Sequence, residues 1–135
     1  MILKELLKDI EYNLIQGDLN REVDSIAYDS RQIKSKGLFV CIEGYVSDGH
    51  NYIPDALTKG ATSLIVNKEV KNINSDITVI QVEDTRKALA YIASAFYGYP
   101  ANKITLTGIT GTNGKTTTTY LIGRILEEYN YKVGI

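Results

Sequence analysis

At 135 residues, with a formal net charge of −1, the chain has room for one ordinary domain, or for a small domain and part of another. Its 44% hydrophobic and 23% charged residues are typical of a globular protein that buries a core. The near-neutral charge argues against a nucleic-acid partner, and no stretch approaches the roughly eighteen apolar residues of a membrane span. We therefore predict neither a nucleic-acid nor a membrane partner.

The N-terminus and the cysteine content indicate the compartment. Glu5 and Asp9 interrupt the apolar start of the chain, so we expect no signal peptide. The single cysteine, Cys41, can form no internal disulfide, which fits a reducing environment. We expect a cytoplasmic protein in which Cys41 packs in the core.

The first hundred residues carry alternating helix and strand signals. Apolar residues at helical spacing predict a short amphipathic helix within residues 3–10. Runs rich in apolar and β-branched residues predict strands at 22–28, 37–42, 62–66 and 77–82. This order predicts an α/β layer.

Two further helices are predicted in the same region. Residues 52–59 form a helical segment ended by Gly60, and Asp84 can cap a helix that follows the last strand. The buried face of that last helix would consist of Leu89, Ile92, Ala93 and Phe96. Residues 98–100 (GYP) would end it and form a domain boundary.

The most informative segment lies near the end of the chain. An apolar, β-branched run at residues 104–109 predicts a strand, residues 119–128 predict a helix, and residues 132–135 predict the start of a second strand. A glycine-bearing loop with Lys-Thr between a strand and a helix builds a phosphate cradle, because loop N–H groups and the helix N-terminus face phosphate oxygens. The candidate ATP-binding residues are Gly111, Thr112, Asn113, Gly114, Lys115, Thr116 and Thr117.

Two side chains of this loop have the chemistry required for ATP and Mg²⁺. Lys115 would reach the β- and γ-phosphates and is the candidate catalytic residue, and the Thr116 hydroxyl would bind Mg²⁺. The common P-loop pattern has glycine where this chain has Ile109, so a strict pattern search would reject the segment. The alternative is a tight turn with a capping threonine, but such turns seldom combine two glycines, a lysine and four threonines.

Three blocks of sequence follow one another in a particular order. They are 29–31 (DSR) with 37–40 (GLFV), Gly44 and 48–50 (DGH); 84–89 (DTRKAL) with Phe96, Tyr97 and Pro100; and 110–117 (TGTNGKTT). Together they resemble the Mur ligase family of peptidoglycan synthesis. The last block is similar to the family's own P-loop, which accounts for the displaced glycine.

The resemblance implies an α/β fold in two parts. Residues 1–99 would form a small N-terminal α/β domain that binds the uridine nucleotide of UDP-MurNAc-peptide. Residues 100–135 would be the first strand, P-loop and helix of the central ATP-binding domain, here truncated. Family members are several-fold longer and have three domains, so we expect this fragment to be inactive by itself.

The implied activity of the parent enzyme is ATP-dependent, ADP-forming amide ligation. It would add a third amino acid, L-Lys or meso-diaminopimelate, to UDP-MurNAc-L-Ala-D-Glu by way of an acyl phosphate. Thr112 favours this member of the family, because the member that adds the D-Ala-D-Ala dipeptide usually has Ser there. That dipeptide ligase and a stand-alone uridine-nucleotide module remain the alternatives.

The resemblance also implies a uridine pocket. Carried over by position, Tyr28 and Ser30 would contact uridine, and Tyr45, Val46 and Ser47 would line the pocket. A serine hydroxyl suits a uracil or ribose oxygen because it both donates and accepts hydrogen bonds. Without the resemblance, residues 29–31 would be interpreted as a capped turn with a local Asp–Arg pair.

Two remaining charged residues have structural interpretations. His50 is the only histidine, follows a turn signal and has no nucleophile pattern around it, so we assign it hydrogen bonding and no catalytic role. One histidine and one cysteine give no basis for a zinc site. Arg86 would pair either with Asp84 or with the loop.

The tail has too few elements to bury its own faces. We therefore predict that residues 102–135 pack on the first domain or on another copy of the chain, which would make the fragment a homo-oligomer.

Overall fold

A five-stranded sheet organises the first of two structural units, Met1–Pro100, and the second unit is Ala101–Ile135. The computed structural model describes all residues from 1 to 135. The strands are β1 (Asn13–Gln16), β2 (Ser25–Ala27), β3 (Gly37–Val40), β4 (Ala61–Val66) and β5 (Thr78–Gln81). Their order across the sheet is β1-β5-β4-β3-β2; β2 to β5 run parallel, and β1 pairs antiparallel with β5.

Four helices accompany the sheet and the tail. They are α1 (Leu3–Leu6), α2 (Ile53–Thr58), α3 (Thr85–Phe96) and α4 (Lys115–Glu128), with short 3-10 turns at Ser30–Gln32, Gly49–Tyr52 and Pro100–Lys103. The α/β class predicted from the sequence is confirmed, and every predicted element of the first hundred residues is present, most of them shorter than predicted. None of the four helices has the length and apolar composition needed to span a bilayer.

The core lies on both faces of the sheet, because successive side chains of a strand point to opposite sides. Leu38 and Val40 of β3 pack with α1 and α3, whereas Phe39 and the neighbouring Cys41 pack on the side of α2. All of β3 is buried, as its continuous apolar run predicts. Burial raises the pKa of the Cys41 thiol to about 12, so this side chain acts as a small core residue.

Helix α3 confirms the predicted N-terminal cap, and its buried face matches the predicted one in part. The Asp84 carboxylate accepts hydrogen bonds from the backbone N–H groups of Arg86 (2.8 Å) and Lys87 (3.0 Å), as predicted. The buried residues of the helix are Thr85, Ala88, Ile92 and Ala95. Of the predicted face only Ile92 is fully buried; Leu89, Ala93 and Phe96 are half-buried, because the small alanines face the sheet and let the helix approach it closely.

Two strands predicted at the end of the chain do not form. Residues 104–109 and 132–135 have no regular secondary structure. A strand needs a neighbour to accept its backbone hydrogen bonds, and the second unit provides none. Instead, Val133 and Ile135 pack against Gly123 of α4, where a Cβ would lie 2.7 Å from the Ile135 Cδ1 atom.

Candidate functional site

The loop before α4 has the shape expected of an anion cradle. Gly111 has φ 151° and Gly114 has φ 75°, a range that only glycine adopts freely, so both bends depend on glycine. No side chain caps the N-terminus of α4 at Gly114, and the first helical hydrogen bond runs from the Thr118 N–H to the Gly114 carbonyl (2.9 Å). The N–H groups of the first turn therefore remain available to a ligand.

Lys115 lies over this loop. Its ammonium group donates a hydrogen bond to the Gly111 carbonyl oxygen at 2.6 Å. The positive charge of Lys115 is therefore held beside the first residue of the loop. A cation beside unpaired N–H groups and the positive end of a 14-residue helix fits a phosphate group. A Cβ at Gly114 would meet nothing within 4 Å, which leaves open space beside the loop.

The predicted Mg²⁺ site depends on a single protein group, the Thr116 hydroxyl. No group of three or more His, Cys, Asp or Glu side chains in the chain could hold a metal ion. Mg²⁺ is commonly bound through one or two protein groups together with phosphate oxygens and water, so Thr116 is chemically compatible with such a role.

The turn after β2 holds the first residues of the predicted uridine pocket. Ser30 is 5% exposed, whereas Tyr28 is 61% exposed. The Ser30 hydroxyl lies beside Asp55 of α2 and, after Lys59, is the second group that lowers the pKa of that carboxyl. Tyr28 therefore presents its ring to solvent, while Ser30 is engaged inside the fold.

Asp29 and Arg31 form the local pair that the sequence suggests as the alternative interpretation. The Asp29 carboxylate accepts from the Arg31 backbone N–H (3.0 Å) and from its guanidinium Nε (3.0 Å) and Nη2 (2.7 Å). The Arg31 side chain, and then its backbone N–H, lower the pKa of Asp29 to about 2.

This pair gives a pH-dependent prediction. Because the pKa of Asp29 lies below its ordinary value of 3.8, the stabilisation it supplies is present above pH 3.8 and is lost as the pH falls through about 2. We expect a carboxyl titration by NMR to place the Asp29 midpoint near 2 and the Arg31→Ala variant to raise it towards 3.8. Arg31→Lys, which keeps the charge without the fork, should fall between them; an unchanged midpoint in Arg31→Ala would contradict the assignment.

The predicted residues 45–47 lie on a small hairpin after β3. Glu43 and Asp48 form an antiparallel bridge, and the Gly44 N–H donates to the Ser47 carbonyl at 2.9 Å; we call residues 43–48 the 43–48 hairpin. Tyr45 and Val46 at its tip are fully exposed, and Ser47 is exposed as well. These side chains pack against nothing in the chain.

Two charged contacts hold the base of this hairpin. The Asp48 carboxylate accepts from the Lys68 ammonium, from the His50 backbone N–H (2.9 Å) and from His50 Nδ1 (2.6 Å). Lys68 is the main cause that holds the pKa of Asp48 well below its ordinary value. On the other side, Arg86 Nη2 donates to the Glu43 carbonyl oxygen at 2.9 Å, so Arg86 contacts the loop and not Asp84 through its side chain.

The two segments that are predicted to bind uridine lie at the same end of the sheet. The turn at 28–31 and the 43–48 hairpin follow β2 and β3, which are parallel neighbours, so both lie at the carboxyl end of the sheet, where α/β folds bind ligands. No hydrogen bond joins Ser30 to the hairpin. Lys68 is not predicted from the sequence, because its contact with Asp48 depends on how β4 lies beside β3.

A cleft that was not predicted from the sequence lies farther along the same carboxyl end of the sheet. It has a volume of about 770 Å³ and lies between the start of β1 and the start of α3. Its lining is mixed in charge and includes Glu11, Tyr12, Glu83, Lys87 and Tyr91.

The parallel sheet with helices on both faces places the chain in the α/β class, and comparison with known proteins gives the family. Residues 22–97, more than half of the chain, match the family described as "Mur ligase family, catalytic domain". The chain belongs to the Mur ligase family.

Similar proteins carry specific names. The chain is 51% identical, over all 135 residues, to "UDP-N-acetylmuramoyl-L-alanyl-D-glutamate--2,6-diaminopimelate ligase 1" of Clostridium acetobutylicum. It is 49% identical to the ligase of the same activity name from Clostridium tetani. In both cases the whole chain is covered, and it spans 28% of the length of the relative.

Solved structures show the same fold. A crystal structure of MurF from Acinetobacter baumannii superposes with a TM-score of 0.71 at 25% identity, covering 95% of this chain and 28% of that one. MurF ligase from Thermotoga maritima, solved in complex with ADP, has a TM-score of 0.55 at 28% identity, covering 77% of this chain and 23% of that one.

Proposed function

We propose that the chain is the front part of an ATP-dependent ligase that adds 2,6-diaminopimelate to UDP-MurNAc-L-Ala-D-Glu in peptidoglycan synthesis. The observation that carries this proposal is the 51% identity, across every residue, to a Clostridium acetobutylicum protein named for that reaction. The sequence alone left the incoming amino acid open between L-Lys and diaminopimelate. Several of the relatives are named for diaminopimelate, which favours that amino acid.

In this proposal the first unit binds the uridine nucleotide of the substrate. Its candidate contacts are Tyr28 and Ser30 in the turn after β2, and the exposed tip of the 43–48 hairpin. An exposed tyrosine ring offers a stacking surface for a base, and Tyr28 and Tyr45 both have one.

The second unit would bind the phosphates of ATP. Gly111 and Gly114 supply the bends, the uncapped start of α4 supplies N–H donors, and Lys115 supplies a positive charge that is already beside the loop. The Thr116 hydroxyl would take part in holding Mg²⁺. In the reaction, the substrate carboxylate attacks the γ-phosphate, ADP leaves, and the amine of the amino acid displaces phosphate from the acyl phosphate.

The ligase that adds the D-Ala-D-Ala dipeptide is the second candidate, since the solved structures named above are of MurF, and a further one from Acinetobacter baumannii is named as a D-alanyl-D-alanyl ligase. Their identity to this chain is 25–28%, about half of that of the diaminopimelate ligases. The difference favours the diaminopimelate reaction.

Calorimetric titration of the 135-residue chain with UDP-MurNAc-L-Ala-D-Glu, and separately with Mg-ATP, tests this proposal. We expect the uridine compound to bind and Tyr28→Ala to weaken its binding, with Tyr97→Ala, which removes a similarly exposed tyrosine of α3's C-terminal end, as the matched control. Absence of binding by the uridine compound, together with binding of Mg-ATP, would contradict the placement of the substrate on the first unit.

A further inference from the structure

The tip of the 43–48 hairpin has no contacts that could fix its direction. Tyr45 and Val46 are fully exposed, and the only hydrogen bond within the turn is the one from the Gly44 N–H to the Ser47 carbonyl. A hairpin of this size is not stable alone in water. Whatever fixes the position of the tip must therefore act at the base.

At one side of the base, Lys68 reaches the hairpin from outside it. Lys68 follows β4 and lies twenty residues from Asp48 in sequence, yet its ammonium donates to Asp48 Oδ2. The second oxygen of that carboxylate, Oδ1, is already occupied by the backbone N–H and the ring of His50. The Asp48 carboxylate thus joins three segments, and the hydrogen bond to Asp48 raises the pKa of Lys68.

At the other side, Arg86 reaches the hairpin from α3. Its backbone N–H is fixed by the Asp84 cap, and its guanidinium donates to the Glu43 carbonyl across forty-three residues of sequence. Glu43 and Asp48 are the two bridged ends of the hairpin. Both ends are therefore tied to the sheet and helix by cationic side chains of different elements.

We propose that Lys68 and Arg86 are positioning residues for the uridine nucleotide, because they hold the 43–48 hairpin in its binding orientation. This inference rests on the proposed function. Both side chains are partly exposed, so their loss should loosen the hairpin without unfolding the sheet. The loosened hairpin must then be ordered when the ligand binds, and the affinity falls by that cost.

The experiment is titration of UDP-MurNAc-L-Ala-D-Glu into Lys68→Ala and Arg86→Ala variants of the whole chain. We expect each to weaken binding by about threefold to tenfold, while Lys68→Arg, which can rebuild the ion pair, restores most of the affinity. Lys71→Ala and Lys87→Ala are the matched controls, since each removes a neighbouring lysine whose side chain makes no hydrogen bond or ion pair with the hairpin. Thermal unfolding should show all five variants folded.

A second comparison separates positioning from general destabilisation. In a chain that already carries Tyr45→Ala and Val46→Ala, the tip has lost both of its large side chains, so adding Lys68→Ala should change the affinity by less than about twofold. An equal loss in both backgrounds, or unchanged binding in Lys68→Ala and Arg86→Ala, would overturn the inference. If the chain without any substitution fails to bind the uridine compound, that result contradicts the proposed function itself.

Discussion

If the chain belongs to the proposed ligase, replacement of Lys115 by alanine is expected to reduce turnover of the full-length protein severely. The ammonium group lies 2.6 Å from the carbonyl oxygen of Gly111, the first residue of the loop, where it would meet the phosphates that carry negative charge during transfer. Removing one such stabilising group typically lowers kcat by about a hundredfold to a thousandfold. Release of ADP, measured with saturating uridine substrate and diaminopimelate, checks this result.

The design of that experiment separates charge from loop structure. Lys115→Met keeps most of the side-chain length but removes the charge, and it should be as inactive as Lys115→Ala. Lys103→Ala, in the 3-10 turn of the same unit, is the control and should retain turnover. Affinity for the uridine substrate should be unchanged in all three variants. Near-normal ADP release by Lys115→Met would contradict a catalytic role for the Lys115 charge.

Gly49→Ala is expected to be strongly destabilising for a different reason. Gly49 is buried directly after the 43–48 hairpin, and its N–H donates to the Ile42 carbonyl at 2.9 Å. An added Cβ would lie 2.6 Å from the Ile42 nitrogen and 2.9 Å from its carbonyl oxygen. Both atoms belong to the backbone at the end of β3, so one of the two segments must move.

We expect this substitution to lower the free energy of unfolding by about 2–3 kcal/mol, a value typical of overpacking in a core. Chemical denaturation monitored by circular dichroism measures the change. Gly108→Ala is the matched control, because nothing lies within 4 Å of its added Cβ, and it should be nearly neutral. Equal stability of the two variants would contradict this prediction, because it would show that the backbone at Ile42 can move at little cost in free energy.

The sequence predicted the first unit well, because its strands carry strong local signals. The apolar runs of β3 and β4 and the cap at Asp84 each depend on a few neighbouring residues, and all three are present. Strand β1 went unpredicted, since Asn13–Gln16 is mostly exposed and has no apolar alternation; it forms because β5 offers it backbone partners. The predicted strand at 104–109 shows the opposite case, an apolar run that stays irregular where no partner strand exists.

The candidate site was predictable only in part, for a related reason. The loop at 111–117 and the turn at 29–31 are continuous in sequence, so residue type and spacing reveal them. The contacts of Lys68 with Asp48 and of Arg86 with Glu43 join residues that only the completed sheet and α3 bring together. The roles of the individual residues towards ATP and uridine, and the homo-oligomer through residues 102–135, remain predictions.

The strand order has a consequence for how the first unit assembles. From β2 to β5 each strand lies beside its predecessor in sequence, so the parallel part of the sheet can grow by successive short-range additions. Strand β1 is different, because Asn13 pairs with Gln81 and must wait until most of the unit exists. During synthesis β1 therefore emerges long before its partner β5, and its pairing completes the sheet.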